Sequence, residues 1–252
     1  PTEPVALGET VTATIRARYY FGAPVTEATV KYTVLRSAQR ETWYPPAPWD
    51  WLYGRGYWWF GEDAPWYPGW AAWGCKRPVP RWWGFYGEAQ PEVVAEAEAP
   101  VGADGTVAVP IDTAVAKALL GDSDHRYRIT AEVTDRSRRT VVGTGTVLAA
   151  RHPFTVTVWT SRGYCRAGEV IHASAAARTP DGTPVRGAGV LRLLKIAYVQ
   201  TGGEWKPVEK EVGRWALDTT ERGTVYQQIK AALAGQYRLS YRLTDAKGHV
   251  RE

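Results

Sequence analysis

From Thr10 to Ala17 the chain alternates between polar and apolar side chains, with Thr10, Thr12, Thr14 and Arg16 set against Val11, Ala13, Ile15 and Ala17. A period of two puts one set on each face of an extended chain, so this stretch predicts a half-buried β-strand. Phe21-Gly22-Ala23-Pro24 follows, with glycine for a turn and proline to fix the exit. The expectation is that the next strand, marked by Val30, Tyr32 and Val34, runs back antiparallel to the first. Tyr127, Ile129, Ala131 and Val133 alternate again and stop at Thr134-Asp135, a turn opener whose carboxylate can bond backbone amides. Another strand, RTVVGTGTVLAA from Arg139, comes next. One segment reads as helix instead. Asp112 is its expected N-cap, good helix formers follow, and Gly121 stops it.

These patterns recur. GETVTATIRARYYFGAPVTEATVKYTVL from Gly8 is answered by GEVIHASAAARTPDGTPVRGAGVLRLLK from Gly168 at an offset of 160. Gly8, Glu9, Gly22, Pro24, Val25, Ala28 and Val30 match Gly168, Glu169, Gly182, Pro184, Val185, Ala188 and Val190. YRITAEVTD from Tyr127 matches YRLSYRLTD from Tyr237 at an offset of 110. Two matches in the same order predict duplicated domains, the first carrying about fifty extra residues between its motifs. Short strands between turn signals predict an all-β fold of two tandem antiparallel β-sandwiches, residues 1–152 and 153–252, with a long insertion at about 37–91 in the first. FTVTVW from Phe154 precedes the second Gly-Glu motif, and its counterpart would fall before residue 1. Fewer residues follow Asp245 than separate Asp135 from Arg151. The expectation is a piece of a longer chain, cut about one strand out of phase with its domains.

Composition narrows the class. The apolar fraction of 44% and charged fraction of 23% are those of a globular protein. No apolar run approaches the roughly 18–20 residues of a membrane helix. The net charge of +5 is mild, and Arg136, Arg138, Arg139 and Arg151 read as a local basic patch with no nucleic-acid motif beside it. Cys75 and Cys165 lie far from any zinc or Cys-x-x-Cys spacing. They are a candidate disulfide in an exported protein, a pairing the sequence leaves open.

The order YRITAEVTDRSRRTVVGTGTVLAARHPFTVTV, AGEVIHASAAARTPDGTPVRGAGVLRLLK and GTVYQQI…GQYRLSYRLTDAKG resembles consecutive macroglobulin-like domains of the bacterial alpha-2-macroglobulin family. Residues 8–36 and 104–252, about 70% of the chain, carry the resemblance. It implies an extracytoplasmic segment of a large protease inhibitor. In such a protein, stacked sandwiches frame a bait segment and a thioester domain, and proteases are its targets. Neighbouring domains of the same chain would be this segment's partners. The family's Cys-x-x-Gln thioester motif is absent, because Cys75 precedes Lys76-Arg77-Pro78 and Cys165 precedes Arg166-Ala167-Gly168. A bait-like loop candidate is 200–215, with flexible glycines before Lys206, Lys210 and Arg214; its alternative is a long hairpin.

No constellation points to an enzyme, a metal or a cofactor. His125, His152, His172 and His249 have no ligand spacing, and Ser123-Asp124-His125 are neighbours on one turn. Gly143-Thr144-Gly145 has strand on both sides, not the helix of a phosphate loop. Asp50, Glu62 and Asp63 lie in the insertion with no scaffold to set a glycosidase separation.

The insertion itself holds ten of the thirteen tryptophans, between Trp43 and Trp83. It is far longer than the roughly 12–15 residues of an ordinary structureless loop. One reading is a self-packed cluster in which each ring buries about 150–250 Å². The other is a recognition surface for glycan or protein, for which Tyr57, Trp58, Trp59, Trp66 and Trp70 are the candidates. That surface would make the chain a carbohydrate-binding or adhesion module.

Overall fold

The computed structural model describes residues 3–39, 43–46, 50–53, 90–121, 123–230 and 233–252. They form two compact units, residues 3–39 with 90–153, and residues 154–252 with 43–46 and 50–53.

In the first unit β1 (Val5–Ala6), β2 (Thr10–Arg16) and β3 (Ala28–Gln39) are followed, after the short helix α1 (Asp50–Tyr53) of the second unit, by β4 (Glu92–Pro100) and β5 (Thr106–Asp112). Helix α2 (Ala114–Leu120), β6 (Asp124–Asp135) and β7 (Thr140–Ala150) complete it. One sheet runs β1-β7-β6-β3-β4, antiparallel except for β1 on β7, and the other is the pair β2-β5. Val34, Tyr127, Ile129, Val147 and Ala149 of the first sheet pack on Ala13, Val109 and Ile111 of the second. The second unit has β8 (Thr155–Thr160), β9 (Val170–Arg178), β10 (Gly187–Thr201), β11 (Glu204–Ala216), β12 (Thr224–Lys230), β13 (Gln236–Asp245) and β14 (Val250–Arg251). Its sheets are β11-β10-β13-β14 and β12-β9-β8. Leu191, Leu193, Tyr241 and Leu243 meet Ala173, Ala175, Ala177 and Ile229 between them. Each unit is a β-sandwich.

The predicted reversal after β2 takes a different form from a hairpin. Arg18 and Pro24 make a single antiparallel bridge, and the chain then crosses to the opposite sheet, so β3 faces β2 rather than pairing with it. Glycine and proline specify a local reversal; which sheet the exit strand joins is decided by the apolar faces that must meet. The second unit does the same through Arg178 and Pro184.

The duplication extends to individual hydrogen bonds. The Gly22 amide donates to the Tyr19 carbonyl and the Gly182 amide to Thr179, both at 2.8 Å. Val25 donates to Ala17 at 3.1 Å and Val185 to Ala177 at 3.0 Å. Ala17 and Ala177 donate in turn to the carbonyls of Gly105 and Gly223. At the β6–β7 and β13–β14 turns, Asp135 Oδ1 accepts from the Arg139 amide at 3.0 Å and Asp245 Oδ1 from the His249 amide at 2.8 Å. Hydrogen bonding to these amides and to nearby side chains holds both carboxyls below the usual aspartate range. The bulge in β3–β4 at Val34/Leu35 recurs in β10–β11 at Leu193/Leu194.

The hydrogen bonds also correct the sequence alignment. Val30 pairs with Val133, whereas Leu243, the counterpart of Val133, pairs with Gly189 and not with Val190. Beyond the turn the offset is therefore 159, and the identities of Ala28 with Ala188 and Val30 with Val190 are coincidental. A one-residue slip moves a strand's side chains to the other face. Accordingly, Val30 and Gly189 are buried whereas Val190 is not. The fifty extra residues likewise fall in more than one place. The offset is 118 on the far side of the hairpin, where Ala99 corresponds to Leu217, so forty-one extra residues lie at the β3–β4 tip. Eight more make room for α2, after which the offset is 110. The N-cap of α2 is Thr113 rather than Asp112, whose Oδ1 accepts from the Ala114 amide at 2.8 Å. Thr113 is fully buried, and its hydroxyl accepts from the Gly8 amide and donates to the Glu9 carbonyl.

Core volumes are exchanged between the copies. Val30 and Ala131 in the first unit correspond to Gly189 and Tyr241 in the second, diagonal neighbours on one sheet face. A Cβ on Gly189 would stand 1.9 Å from the Tyr241 hydroxyl oxygen. The ring thus fills the place that Val30 takes in the other copy, and its hydroxyl donates to the Leu217 carbonyl at 2.5 Å. Burial pushes the Tyr241 phenol up to about 12. Because this folded value lies above that of an unfolded tyrosine, the contribution is complete below pH ~10 and is lost as pH rises toward 12. We expect thermal melts to show the second unit losing on the order of 2 kcal/mol across that window, and the loss to vanish in Tyr241→Phe. An unchanged alkaline profile in that variant would contradict this assignment.

Candidate functional site

The tryptophan-rich insertion leaves the first unit between the paired strands β3 and β4, whose register includes Arg36 opposite Glu92, an ion pair. The corresponding hairpin of the second unit, β10–β11, closes with Gly202-Gly203, whose φ values of 62° and 88° are those of a tight two-residue turn. A hairpin tip is the place where a fold accepts a large insertion most easily, because no core strand is displaced.

Tyr57, Trp58, Trp59, Trp66, Trp70 and Cys75, together with Glu62 and Asp63, lie outside the described residues. Within the second unit Trp43 meets Trp159 of β8 edge to face, with centroids 5.9 Å apart. The Arg178 guanidinium stands 5.1 Å over the Trp43 ring. Arg178 also donates to the carbonyls of Gly182 and Arg222, and burial lowers its pKa from the ordinary arginine value. Such a stacked cation contributes about 0.5–2 kcal/mol. Trp51 on α1 is 76% exposed. The aromatic segment therefore has both a packed ring and a presented one.

Lys206, Lys210 and Arg214 lie on β11, not in a loop. They pair opposite Val199, Lys195 and Arg192 along the hairpin, the alternative the sequence offered. All three are exposed, and Arg214 is held by Glu211 at 2.7 and 2.8 Å. A backbone already paired in a ladder is not presented as a cleavable extended segment. Cys165 sits half-buried in the connection between β8 and β9.

The four arginines do not form one patch. Arg136, Arg138 and Arg139 are at the β6–β7 turn, whereas Arg151 lies beyond the other end of the eleven-residue β7, where its side chain bonds Asp124 at 3.2 Å. Asp124 and His125 begin β6, and His125 Nε2 meets the Leu120 carbonyl at 3.0 Å, so Asp124 serves Arg151 rather than orienting the histidine. Among the described residues no cluster of His, Cys, Asp and Glu is placed to hold a metal, and no helix is long and apolar enough to cross a membrane.

The sequence reading missed one surface. Tyr19, Tyr20 and Phe21 cap the turn after β2, 44%, 100% and 65% exposed. Tyr19 and Phe21 stack at 5.3 Å, and Tyr20 meets Phe21 edge-on at 5.1 Å. The signal was present in the repeat, since the same positions of the second unit are Thr179, Pro180 and Asp181.

No protein-family model matches the sequence, and no curated protein matches it either. Solved structures similar to it include native Escherichia coli alpha-2-macroglobulin, at 11% identity and a TM-score of 0.42, covering 99% of this chain and 15% of that one. Salmonella alpha-2-macroglobulin reacted with methylamine, at 13% identity and a TM-score of 0.43, covers 99% and 16%. Escherichia coli alpha-2-macroglobulin activated by porcine elastase, at 11% identity and a TM-score of 0.41, covers 99% and 20%. The chain is thus similar to bacterial alpha-2-macroglobulin structures along nearly its whole length, and it spans between 15 and 20% of those three chains.

Proposed function

We propose that the chain is a structural segment of a large exported protease inhibitor of the alpha-2-macroglobulin kind. In this reading, residues 1–152 and 153–252 are tandem macroglobulin-like domains of its frame, and residues 37–91 are an insertion in the first. The observation that carries the reading is the repetition of one sandwich, turn for turn and bulge for bulge, in the motif order that resembles that family. Such domains hold their neighbours at fixed spacing while another part of the chain meets the protease. The absence of Cys-x-x-Gln from this sequence assigns any covalent capture to residues elsewhere in the parent. Its place is extracytoplasmic. The segment is not itself an enzyme.

The test is the intact mass of the natively purified parent before and after methylamine. Uptake of one methylamine with a newly titratable thiol is expected. No uptake would remove covalent capture from the account and leave trapping without a thioester.

The exposure of Trp51 favours a second role for the insertion, stacking on sugar rings. Quenching of tryptophan fluorescence by envelope glycan would support it. No change at millimolar sugar would end it.

A further inference from the structure

We propose that the end of the first unit bearing Tyr19, Tyr20 and Phe21 docks on an anionic lipid bilayer surface, the rings entering the interface and the arginines meeting the headgroups. This inference is independent of the protease-inhibitor reading. It rests on a control inside the molecule. The turn needs Gly22, with its φ of 92°, and the bonds from Gly22 to Tyr19, Tyr19 to Ala23 and Val25 to Ala17. The second unit closes the same turn, with Gly182 at 89° and the corresponding bonds, using Thr179, Pro180 and Asp181. The three rings are therefore not required by the fold, yet they stand on a well-braced turn and face water.

The surrounding charge is also specific to this copy. The β6–β7 turn lies at the same end, since Asp135 pairs opposite Ala28 and Arg136 reaches Glu27 at 2.7 Å. It carries Arg138 and Arg139, both exposed, where the second unit has Gly248 and His249. Arg138 holds a positive φ of 61°, a conformation that favours glycine, as at Gly248 with 82°. A bulky cation is thus kept where the fold prefers none. Arg18 is exposed as well, whereas its counterpart Arg178 bonds turn carbonyls. The acids at this end are engaged within the fold. Asp104 accepts from Thr106, Asp135 from Ser137 and Arg139, and Glu27 from Arg136.

Shape selects the occupant. Small-molecule and cofactor sites are concave, whereas Tyr20 is wholly exposed at the apex of the turn. A bilayer interface closes around a protruding ring without a matching cavity. Aromatic side chains partition there, and the nearby arginines are attracted to an anionic leaflet.

The experiment is vesicle co-sedimentation of this protein at several salt concentrations. One set of vesicles is phosphatidylcholine with about 30% phosphatidylglycerol, and the other is phosphatidylcholine alone. The variant Tyr19→Thr/Tyr20→Pro/Phe21→Asp copies the turn of the second unit, and Tyr20→Ser is a milder change at a wholly exposed side chain. We expect the protein to bind the anionic vesicles about tenfold more tightly than the neutral ones, and the triple variant to lose about tenfold. Tyr20→Ser should lose severalfold, and Arg138→Gly/Arg139→Gln should lose affinity together with much of its salt dependence. Equal binding by the aromatic variants and the unmodified protein would overturn the proposal. So would binding to neither vesicle, which would reassign this end to a protein neighbour.

Discussion

Gly189→Val destabilises the second unit by about 3–5 kcal/mol, and adding Tyr241→Ala recovers at least half of that loss. Any side chain at 189 begins with a Cβ that would sit 1.9 Å from the Tyr241 oxygen and 2.4 Å from the Leu217 carbonyl oxygen. The ring must leave, and the bond from its hydroxyl to Leu217 goes with it. Overpacking of a core costs roughly 1–3 kcal/mol, and an orphaned buried carbonyl about 1–3 more. The double variant installs the pair that the first unit uses at these positions, Val30 with Ala131, so the introduced methyls occupy the space the ring vacates. Tyr241→Ala alone leaves a cavity and loses about 3–5 kcal/mol. The coupling between the two changes is the quantity of interest. Denaturant unfolding of the four proteins measures it, and a coupling near zero would mean that the two units do not share the register derived above.

Gly105→Ala and Gly223→Ala each cost their own unit about 3 kcal/mol. Both residues have positive φ, 76° and 64°, where a Cβ costs roughly 1–2 kcal/mol. Here the Cβ would also stand 2.8 Å from the Ala17 carbonyl oxygen and 2.7 Å from that of Ala177. These neighbours are backbone atoms, which cannot swing aside. The two glycine carbonyls also accept the amides of Ala17 and Ala177, so any shift loosens the turn on which Tyr19–Phe21 stand and its counterpart. Calorimetry of the two variants reads the effect. Either one melting like the unmodified protein would contradict the shared turn geometry.

Much of the fold was legible because it rests on period and turn chemistry. The alternation from Thr10 predicted β2, and the structure gives it the burial of a half-covered strand, with Ala13 in the core and Thr12 and Thr14 outside. The two Tyr-Arg…Thr-Asp segments became β6 and β13, ending in the same aspartate-braced turn. Other features were hidden for stated reasons. A glycine–proline reversal does not say whether the exit strand pairs in the same sheet or crosses to the facing one. The missing residue between Val185 and Gly187 was masked by the chance repetition of Ala and Val at the older spacing, and only the cross-strand pairing revealed it. Arg151 looked adjacent to the other arginines in sequence because the length of β7 cannot be seen in a list of charges. The aromatic turn is visible in the repeat only as Tyr19, Tyr20 and Phe21 standing where the second copy has Thr179, Pro180 and Asp181. Its meaning depends on exposure, which no alignment reports.

The protease-trap reading meets its most direct test in the parent protein, challenged with trypsin and assayed on two substrates of different size. A frame that closes around a protease excludes large substrates while leaving the protease's active site open. The account predicts that trypsin bound to the cleaved parent keeps its activity on a small peptide ester and loses it on a large protein substrate. Equal activity on both, or equal loss on both, would contradict the account.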